Sequence, residues 1–240
     1  MISAIIQARM GSTRLPDKVL MDVGGHPMLW HMIERLKPAK NVDEIILAIP
    51  NTKENDILEQ FAKENNLKYF RGSENDVLAR YYETAKTFKV DVIVRITSDC
   101  PLIDPEIVDK VIEEHLQSKA DYTSNIQART YPKGMDAEAV NFAILERAFK
   151  EAVEPADREH VTLYIRRNPQ IFKQADVKND KDLFFMRWTV DGQRDLDFVR
   201  EVYKRLYSKK KIFLMKDILE VLEKEPQLLE INKEIKRKPI

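Results

Sequence analysis

Residues 2–18 read ISAIIQARMGSTRLPDK, a short apolar run followed at once by a polar loop. The run Ile2–Ala8 predicts a buried β-strand at the start of an α/β sheet. The loop contains a glycine, two hydroxyl side chains and three cations: Gly11, Ser12, Thr13, Arg9, Arg14 and Lys18. Glycine permits unusual backbone angles, and hydrogen-bond donors and cations after a strand suit a triphosphate. From these residues alone, an ordinary solvated basic loop fits equally well.

The loop matches neither of two common phosphate-binding motifs. The spacing GxxxxGK[ST] of a Walker A loop is absent, and the dinucleotide-binding pattern GxGxxG does not occur. A nucleotide site at this loop would therefore be of another kind.

Outward from this loop, the first half of the chain alternates strand and helix patterns. The other predicted strands are Glu44–Ile49, Leu67–Phe70 and Val90–Ile96. The predicted helices are Pro27–Leu36, Glu54–Asn65, Asp76–Phe88 and Pro105–Leu116. This alternation predicts a mostly parallel sheet covered by helices on both faces, with ligands at the carboxyl ends of the strands. The loops after the first and fourth strands are therefore the expected site.

The second half of the chain has a less regular pattern. Its predicted strands are 137–142 and 186–190, and its predicted helices are 157–167, 196–206 and 216–224. Because no internal repeat or long linker occurs, we expect one domain over residues 1–240. Residues 121–142 are expected to form a small inserted arm, for dimerisation or on the acceptor side. The lysine-rich tail Ile231–Ile240 is expected to fray.

Composition narrows the class of protein. The 240 residues include 40 basic and 40 acidic side chains, so the formal net charge is zero. This balance argues against a nucleic-acid partner, because nucleic-acid-binding proteins normally carry a basic excess. One cysteine, Cys100, excludes an intramolecular disulfide. With no signal-peptide pattern and no apolar stretch of about 20 residues, we expect a cytoplasmic protein without a membrane partner.

The opening loop IIQARMGSTRLPDKVL resembles the signature loop of the sugar-acid cytidylyltransferases, which include CMP-Kdo synthetases and acylneuraminate cytidylyltransferases. The similarity is greatest to the spore coat polysaccharide biosynthesis protein F type. It extends over about residues 1–200, through Arg71–Tyr82, Thr97–Pro105, Tyr131–Glu138 and Asp157–Thr162. The resemblance implies a three-layer nucleotidyltransferase fold of the GT-A-like, Rossmann-like type with a mostly parallel mixed sheet. It also implies CTP as substrate and a homodimer.

Two aspartates are candidate ligands of Mg²⁺, the predicted cofactor. Asp99 follows the fourth predicted strand, and magnesium prefers a few carboxylates with phosphate oxygens and water. From the residues alone, a turn or capping role for Asp99 is the alternative. Residues Trp188–Leu196 resemble the family's Asp-Thr-Pro-x-Asp-Leu segment, with Gly192-Gln193 in place of Thr-Pro. The resemblance implies that Asp99 and Asp191 hold the metal.

Three neighbouring residues receive structural interpretations. Asp104 is predicted to cap the helix that begins at Pro105, and Asp195 to be the N-cap of the helix after Asp191. Cys100 is interpreted as a packed neighbour, because the sequence shows no partner base for a nucleophile.

The resemblance also implies roles for the remaining site residues. The nucleotide-binding set is Gln7, Ala8, Arg9, Gly11, Ser12, Thr13, Arg14, Lys18, Asp76, Arg80 and Thr97. Three residues, Arg14, Lys18 and Asp99, are the catalytic set. The acceptor-binding set is Gly134, Asp136, Glu138, Arg158 and His160. Two alternatives stay open: Asp76 and Arg80, four apart on a helix, fit a surface ion pair, and His160 fits a structural role.

The resulting hypothesis is a magnesium-dependent enzyme that transfers CMP from CTP to a small acidic or sugar-like acceptor and releases pyrophosphate. Its expected context is surface polysaccharide or glycoconjugate biosynthesis. One rival is a uridylyl-, guanylyl- or thymidylyltransferase acting on a sugar 1-phosphate. A nucleotide-sugar glycosyltransferase is disfavoured, because Ser98-Asp99-Cys100 lacks the Asp-x-Asp pattern. A non-catalytic nucleotide-binding protein is disfavoured by the cations and the two carboxylates together.

Overall fold

The computed structural model describes residues 1–235 of the chain. Its strands are β1 (Ile2–Gln7), β2 (Asp22–Val23), β3 (His26–Pro27), β4 (Glu44–Pro50), β5 (Lys68–Gly72), β6 (Val92–Thr97), β7 (Tyr122–Ser124), β8 (Glu138–Asn141) and β9 (Gln174–Asp176). Its α-helices are α1 (Met28–Leu36), α2 (Asp56–Glu64), α3 (Val77–Phe88), α4 (Pro105–Ser118), α5 (Phe142–Glu151), α6 (Pro155–Glu159), α7 (Leu163–Arg167), α8 (Gln193–Leu206) and α9 (Met215–Lys224). Among the described residues, no helix has the length and apolar composition needed to cross a bilayer.

Seven strands form one mixed sheet in the order β5-β4-β1-β6-β8-β7-β9. Strand β8 pairs antiparallel with β6 and β7, and the other four pairings are parallel. The prediction of a mostly parallel mixed sheet is thus confirmed. In the pairing of β1 with β6, Gln7 lies opposite Thr97, so both strands end at the same edge. The loops that follow these two strands therefore start side by side.

Alternating side chains of the strands serve two cores. Ala4 and Ile6 of β1 pack with α1, α2, α4, α8 and α9, whereas Ile5 packs with α3, α5 and α7. The period of two along a strand produces this division, because successive side chains point to opposite faces. Both faces of the sheet are covered by helices, which gives the three layers expected from the sequence.

The beginning of helix α4, after the loop that follows β6, is set by a capping side chain. Asp104 accepts a hydrogen bond from the Glu106 amide at 2.8 Å, and Pro105 occupies the first turn of α4. Proline costs little there because its missing N–H would have no intrahelical partner. The other oxygen of Asp104 accepts from the Met215 amide at 2.6 Å, which joins α4 to the start of α9. The predicted cap is therefore confirmed.

The predicted helix 157–167 is wrong, because the chain forms two short helices there. Helix α6 ends at Glu159, α7 begins at Leu163, and Val161 between them has a φ of 52°. This left-handed angle is unusual for a β-branched residue. The break places Val161 in the core that contains Ile5, and it lets the Thr162 hydroxyl donate to Glu138 at 2.5 Å. These two contacts, which a periodicity argument does not contain, explain the interruption.

The predicted strand 186–190 is also wrong. Its only sheet-like pairing in the described part of the chain is an isolated parallel bridge between Arg187 and Lys133. Residues Trp188 and Val190 are fully buried, which explains the strand-like pattern of the sequence. The segment pairs with the loop around Lys133 and with Asp99 rather than joining the edge of the sheet.

Residues 121–142, the arm expected from the sequence, begin and end in the main sheet. Residues 122–124 and 138–141 are strands β7 and β8, and residues 125–137 form the loop between them. Strands β7 and β9 were not predicted, because 3 residues are too few for a clear pattern. Helix α5 was not predicted either. Contact of this segment with a second copy of the chain stays a prediction.

The sequence suggested that Asp195 is the N-cap of α8. This is wrong, because Asp195 is the third residue of that helix. Its carboxylate accepts from the amides of Asp191 and Gly192 at 2.9 and 3.1 Å, and from Arg187 at 2.8 and 3.0 Å. Asn232 also donates to it at 3.1 Å and is buried, so this part of the predicted fraying tail is packed. The rest of that prediction, residues 236–240, lies outside the described residues.

We predict that Arg187→Met lowers the free energy of unfolding by about 3–5 kcal/mol, because it leaves the fully buried Asp195 without its charge partner. The matched control is Arg194→Met. It breaks an exposed pair with Glu234 and should cost about 0–1 kcal/mol. Urea denaturation followed by circular dichroism measures both changes. Equal, small losses in the two variants would contradict a structural role for the buried pair.

A second prediction concerns pH and His31, which is buried beside Tyr203 and the Val23 carbonyl. Burial lowers the pKa of His31 from 6.5 to about 4. Folding therefore favours the neutral imidazole of His31. The stability that neutral His31 gives to the folded protein is complete above pH 6.5 and is lost as the pH falls towards 4. Between pH 7 and pH 4.5 the protein should lose about 2–3 kcal/mol more than its His31→Gln variant. Parallel stability curves for the two proteins would exclude this contribution.

Candidate active site

A cavity of about 680 Å³ lies at the carboxyl ends of β1 and β6. Eight of its lining residues are basic: Arg9, Arg14, Lys18, Arg80, Arg95, Arg129, Lys133 and Arg166. Six of them are acidic: Glu74, Asp99, Asp136, Glu138, Glu159 and Asp191. A chain with zero net charge thus has a local excess of positive charge, which suits an anionic ligand.

The loop after β1 is held in place by backbone contacts. The Ser98 amide donates to the Gln7 carbonyl at 3.2 Å, and the buried Asn55 accepts from the Met10 amide at 2.9 Å. Asp17 has a left-handed φ of 56°, after which Lys18 starts a 3-10 turn. This turn reverses the chain and sends the Lys18 side chain back towards the strand ends.

Lys18 lies between the two aspartates that the sequence assigned to the metal. Its Nζ donates to the Val190 carbonyl at 2.6 Å, and it is 3.5 Å from Asp191 Oδ1 and 3.9 Å from Asp99 Oδ2. Arg14 Nη2 is 2.9 Å from the same Asp191 oxygen. The four charged side chains therefore face one point, although they come from three distant parts of the chain.

Asp191 is held in its orientation from behind. Arg187 donates to Asp191 Oδ2 at 2.8 Å, while Asp195 accepts from the Asp191 backbone amide. Burial alone would raise the pKa of Asp191, but the charges of Lys18, Arg187 and Arg14 outweigh it and the pKa lies below its usual value. The carboxylate is therefore ionised at neutral pH.

The floor of the cavity contains a buried network around Glu138. Its carboxylate accepts from Arg95, from the Tyr122 hydroxyl at 2.6 Å and from Thr162. Burial raises the pKa of Glu138, yet the Arg95 charge and these hydrogen bonds bring it below its usual value. Arg95 also donates to Gln7 Oε1 at 3.1 Å. The network fixes Arg95 and Gln7 at the end of the first strand.

The rest of the predicted acceptor side lies nearby. Gly134 has a φ of 110°, and a Cβ there would be 2.6 Å from the Thr189 amide nitrogen, so no other residue fits. Asp136 is 3.6 Å from Arg129, and its side chain is 32% exposed to the cavity. Burial raises its pKa, with the charges of Asp99 and Glu138 acting in the same direction. His160, half-buried at the end of α6, also lines the cavity.

Burial raises the pKa of the Cys100 thiol well above its usual value, and the charge of Asp99 adds to this. The thiol is 2% exposed, so it is a packed neutral group, as interpreted from the sequence.

Most of the predicted site residues line this one cavity: Gln7, Ala8, Arg9, Ser12, Thr13, Arg14, Lys18, Arg80, Thr97, Asp99, Gly134, Asp136, Glu138, His160 and Asp191. Three do not: Gly11, Asp76 and Arg158. Asp76 caps α3 by accepting from the Ala79 amide at 2.8 Å and pairs with Arg158 from α6. The suggested ion pair of Asp76 with Arg80 is therefore wrong, since Arg80 donates to the carbonyls of Ser73 and Glu74.

Several lining residues were not identified from the sequence: Glu74, Arg95, Arg129, Lys133, Glu159 and Arg166. Arg95 had a signal, because it interrupts the apolar run Val92–Ile96. A charge within a central strand requires a partner or a ligand. The others lie in loops or short helices, and no pattern in one sequence distinguishes them from solvated charges.

The two aspartates fit a magnesium ion that is bound together with phosphate. Among the described residues, no three His, Cys, Asp or Glu side chains are grouped to hold a metal on their own. Asp99 and Asp191 nevertheless face the same point, as their shared contact with Lys18 shows. Two carboxylates supply part of a magnesium shell, and phosphate oxygens and water usually complete it.

A mostly parallel sheet with a cationic loop at the strand ends and a cavity of excess positive charge is typical of α/β proteins that bind nucleotides. Comparison with known proteins specifies the class. Residues 3–235 match the family described as cytidylyltransferase. Spore coat polysaccharide biosynthesis protein SpsF of Bacillus subtilis is 35% identical over 208 residues, covering 84% of this chain and 85% of SpsF.

Solved structures agree with this assignment. A cytidylyltransferase from Leptospira borgpetersenii is 34% identical and superimposes with a TM-score of 0.91 over 99% of both chains. A CMP:2-keto-3-deoxy-manno-octonic acid synthetase complexed with CTP is 18% identical, with a TM-score of 0.62 over 85% of this chain and 98% of that one, and shares the fold. The chain belongs to the cytidylyltransferase family, and its fold is the nucleotidyltransferase fold expected from the sequence.

We predict that Lys18→Met weakens the binding of inorganic tripolyphosphate by about 10–100-fold, because it removes a charge-assisted hydrogen bond of about 1.5–3 kcal/mol. Isothermal titration calorimetry measures the affinity. Lys209→Met is the control, since it removes the same charge from an exposed position outside the cavity. Equal affinities of the two variants would place the polyphosphate elsewhere.

Proposed function

We propose that this protein transfers CMP from CTP to a small acidic or sugar-like acceptor and releases pyrophosphate. The observation that carries the proposal is the position of Lys18, within 4 Å of both Asp99 and Asp191 and beside Arg14. Cations that can contact a triphosphate thus adjoin carboxylates that can share a divalent ion. Membership of the cytidylyltransferase family supports CTP as the nucleotide.

The proposed reaction is an in-line displacement at the α-phosphorus. An acceptor hydroxyl oxygen forms a bond to that phosphorus while the bond to the oxygen bridging the α- and β-phosphates breaks. The hydroxyl proton passes to solvent water, and the bridging oxygen leaves as part of pyrophosphate. Little covalent chemistry is required of the protein, so orientation and charge stabilisation account for most of the rate.

Arg14 and Lys18 are proposed to bind the triphosphate and to stabilise the negative charge that grows on pyrophosphate. Asp99 and Asp191 are proposed to hold Mg²⁺, which when bound polarises the α-phosphate and orients the acceptor oxygen. The Arg187–Asp195 pair keeps Asp191 turned towards this point. Gln7, which accepts a hydrogen bond from Arg95, lines the same cavity.

The acceptor is proposed to bind between Asp136, His160 and the loop at Gly134. Two further cations, Lys133 and Arg166, line the same cavity. Such charges favour a carboxylate or another anionic group on the acceptor. The name of the relative SpsF supports a place in surface polysaccharide biosynthesis. A cytoplasmic location, expected from the sequence pattern, and a homodimer, implied by the sequence resemblance, are part of the same proposal.

Substitution of Asp99 tests the proposed chemistry. Asp99→Asn should lower pyrophosphate release from CTP and acceptor by at least about 100-fold, since a neutral amide cannot offset the metal charge. The control Asp180→Asn alters an exposed carboxylate outside the cavity and should keep full activity. A coupled assay for pyrophosphate, with a panel of sugar acids as acceptors, measures the rates. Full activity of the Asp99 variant would remove this residue from the mechanism.

The nucleotide preference is tested separately with CTP, UTP, GTP and dTTP in the presence of magnesium. The proposal expects the largest thermal shift and the fastest pyrophosphate release with CTP. A clear preference for another nucleotide would favour the sugar-1-phosphate nucleotidyltransferase reaction instead.

A further inference from the structure

The ammonium group of Lys18 lies between the two carboxylates that are proposed to hold a divalent ion. This group is 3.5 Å from Asp191 and 3.9 Å from Asp99. It is fixed there by donation to the Val190 carbonyl, and the Lys18 side chain is only 14% exposed. Both carboxylates therefore have a positive partner within the chain itself.

Asp191 has further cations on both of its oxygens. Arg14 is 2.9 Å from Oδ1, and Arg187 donates to Oδ2 at 2.8 Å. A positive charge about 4 Å from a divalent ion raises the dissociation constant of that ion about tenfold or more, even in a solvent-like dielectric. These two cations and Lys18 thus oppose the binding of a free divalent cation by Asp99 and Asp191.

A bound triphosphate changes this balance. Lysine has a compact charge on a flexible stem, so Lys18 can turn its ammonium group from the carboxylates to a phosphate oxygen of CTP. Arg14, whose side chain is 51% exposed, can move in the same way. Both carboxylates then lose a positive partner while negative phosphate oxygens arrive next to them.

We propose that Lys18 is an internal counter-ion that prevents Asp99 and Asp191 from binding a divalent metal until nucleotide is present. The inference rests on the proposed function, because it assigns these aspartates to the metal. It makes metal and nucleotide binding interdependent, and such coupling is reciprocal. An unproductive metal-loaded state without nucleotide is thereby avoided.

The test measures binding of Mn²⁺ alone to the protein without nucleotide, from the electron paramagnetic resonance signal of free Mn²⁺. Lys18→Met should bind Mn²⁺ at least about tenfold more tightly than the unmodified protein. Lys18→Arg, which keeps the charge, should stay within about threefold of the unmodified protein. Lys209→Met, with the same loss of charge at an exposed position, should not change the affinity.

Two further variants show whether the tighter Mn²⁺ binding depends on Asp99 and on the loss of the Lys18 charge. Adding Asp99→Asn to Lys18→Met should abolish the tighter binding, and Lys18→Gln repeats the measurement with a polar neutral side chain. Thermal unfolding checks that each variant is folded. Equal Mn²⁺ affinities of the unmodified protein and both neutral variants would overturn the inference, as would a gain that persists without Asp99. The Mn²⁺ measurement contains no substrate, so its result does not depend on the proposed function. That function is tested separately, by CTP turnover in the unmodified protein.

Discussion

The site depends on one backbone contact between two distant segments. The Val190 amide donates to the Asp99 carbonyl at 2.7 Å, and the Thr189 hydroxyl donates to the same oxygen at 3.1 Å. These bonds dock residues 186–191 onto the loop after β6, although 90 residues separate them in sequence. The carbonyl of Val190 then accepts from Lys18, so the opening loop is joined to the same point. Lys18 is thereby the common neighbour of the two carboxylates.

The first half of the fold and its part of the site could be predicted from the sequence. Strands β1, β4 and β6 are apolar runs with clear boundaries, and parallel strands that alternate with helices share one carboxyl edge. The observed register, with Gln7 opposite Thr97, brings the loops that carry Arg14, Lys18 and Asp99 to this edge. Local pattern and topology agree here, which is why the prediction succeeded.

The second half depends on contacts that a single sequence does not encode locally. Residues 186–190 have the apolar pattern of a strand, but they pair with the loop at Gly134, whose φ of 110° allows the close approach. The break at Val161 and the capture of Asp76 by Arg158 likewise result from side chains that meet only in the folded chain. Asp191 was identified from resemblance to a family rather than from periodicity, and it lines the cavity together with Asp99.

The central claim is that the loop after β1 binds the phosphates of CTP next to Asp99 and Asp191. A crystal structure with a CTP analogue that has a methylene group between the α- and β-phosphorus atoms, together with magnesium, tests it most directly. The decisive quantity is the distance from Lys18 Nζ to the nearest phosphate oxygen. The account predicts hydrogen-bond distance, about 2.7–3.2 Å, with Arg14 on the same phosphate chain. A triphosphate bound elsewhere, with Lys18 still between the two carboxylates, would contradict it.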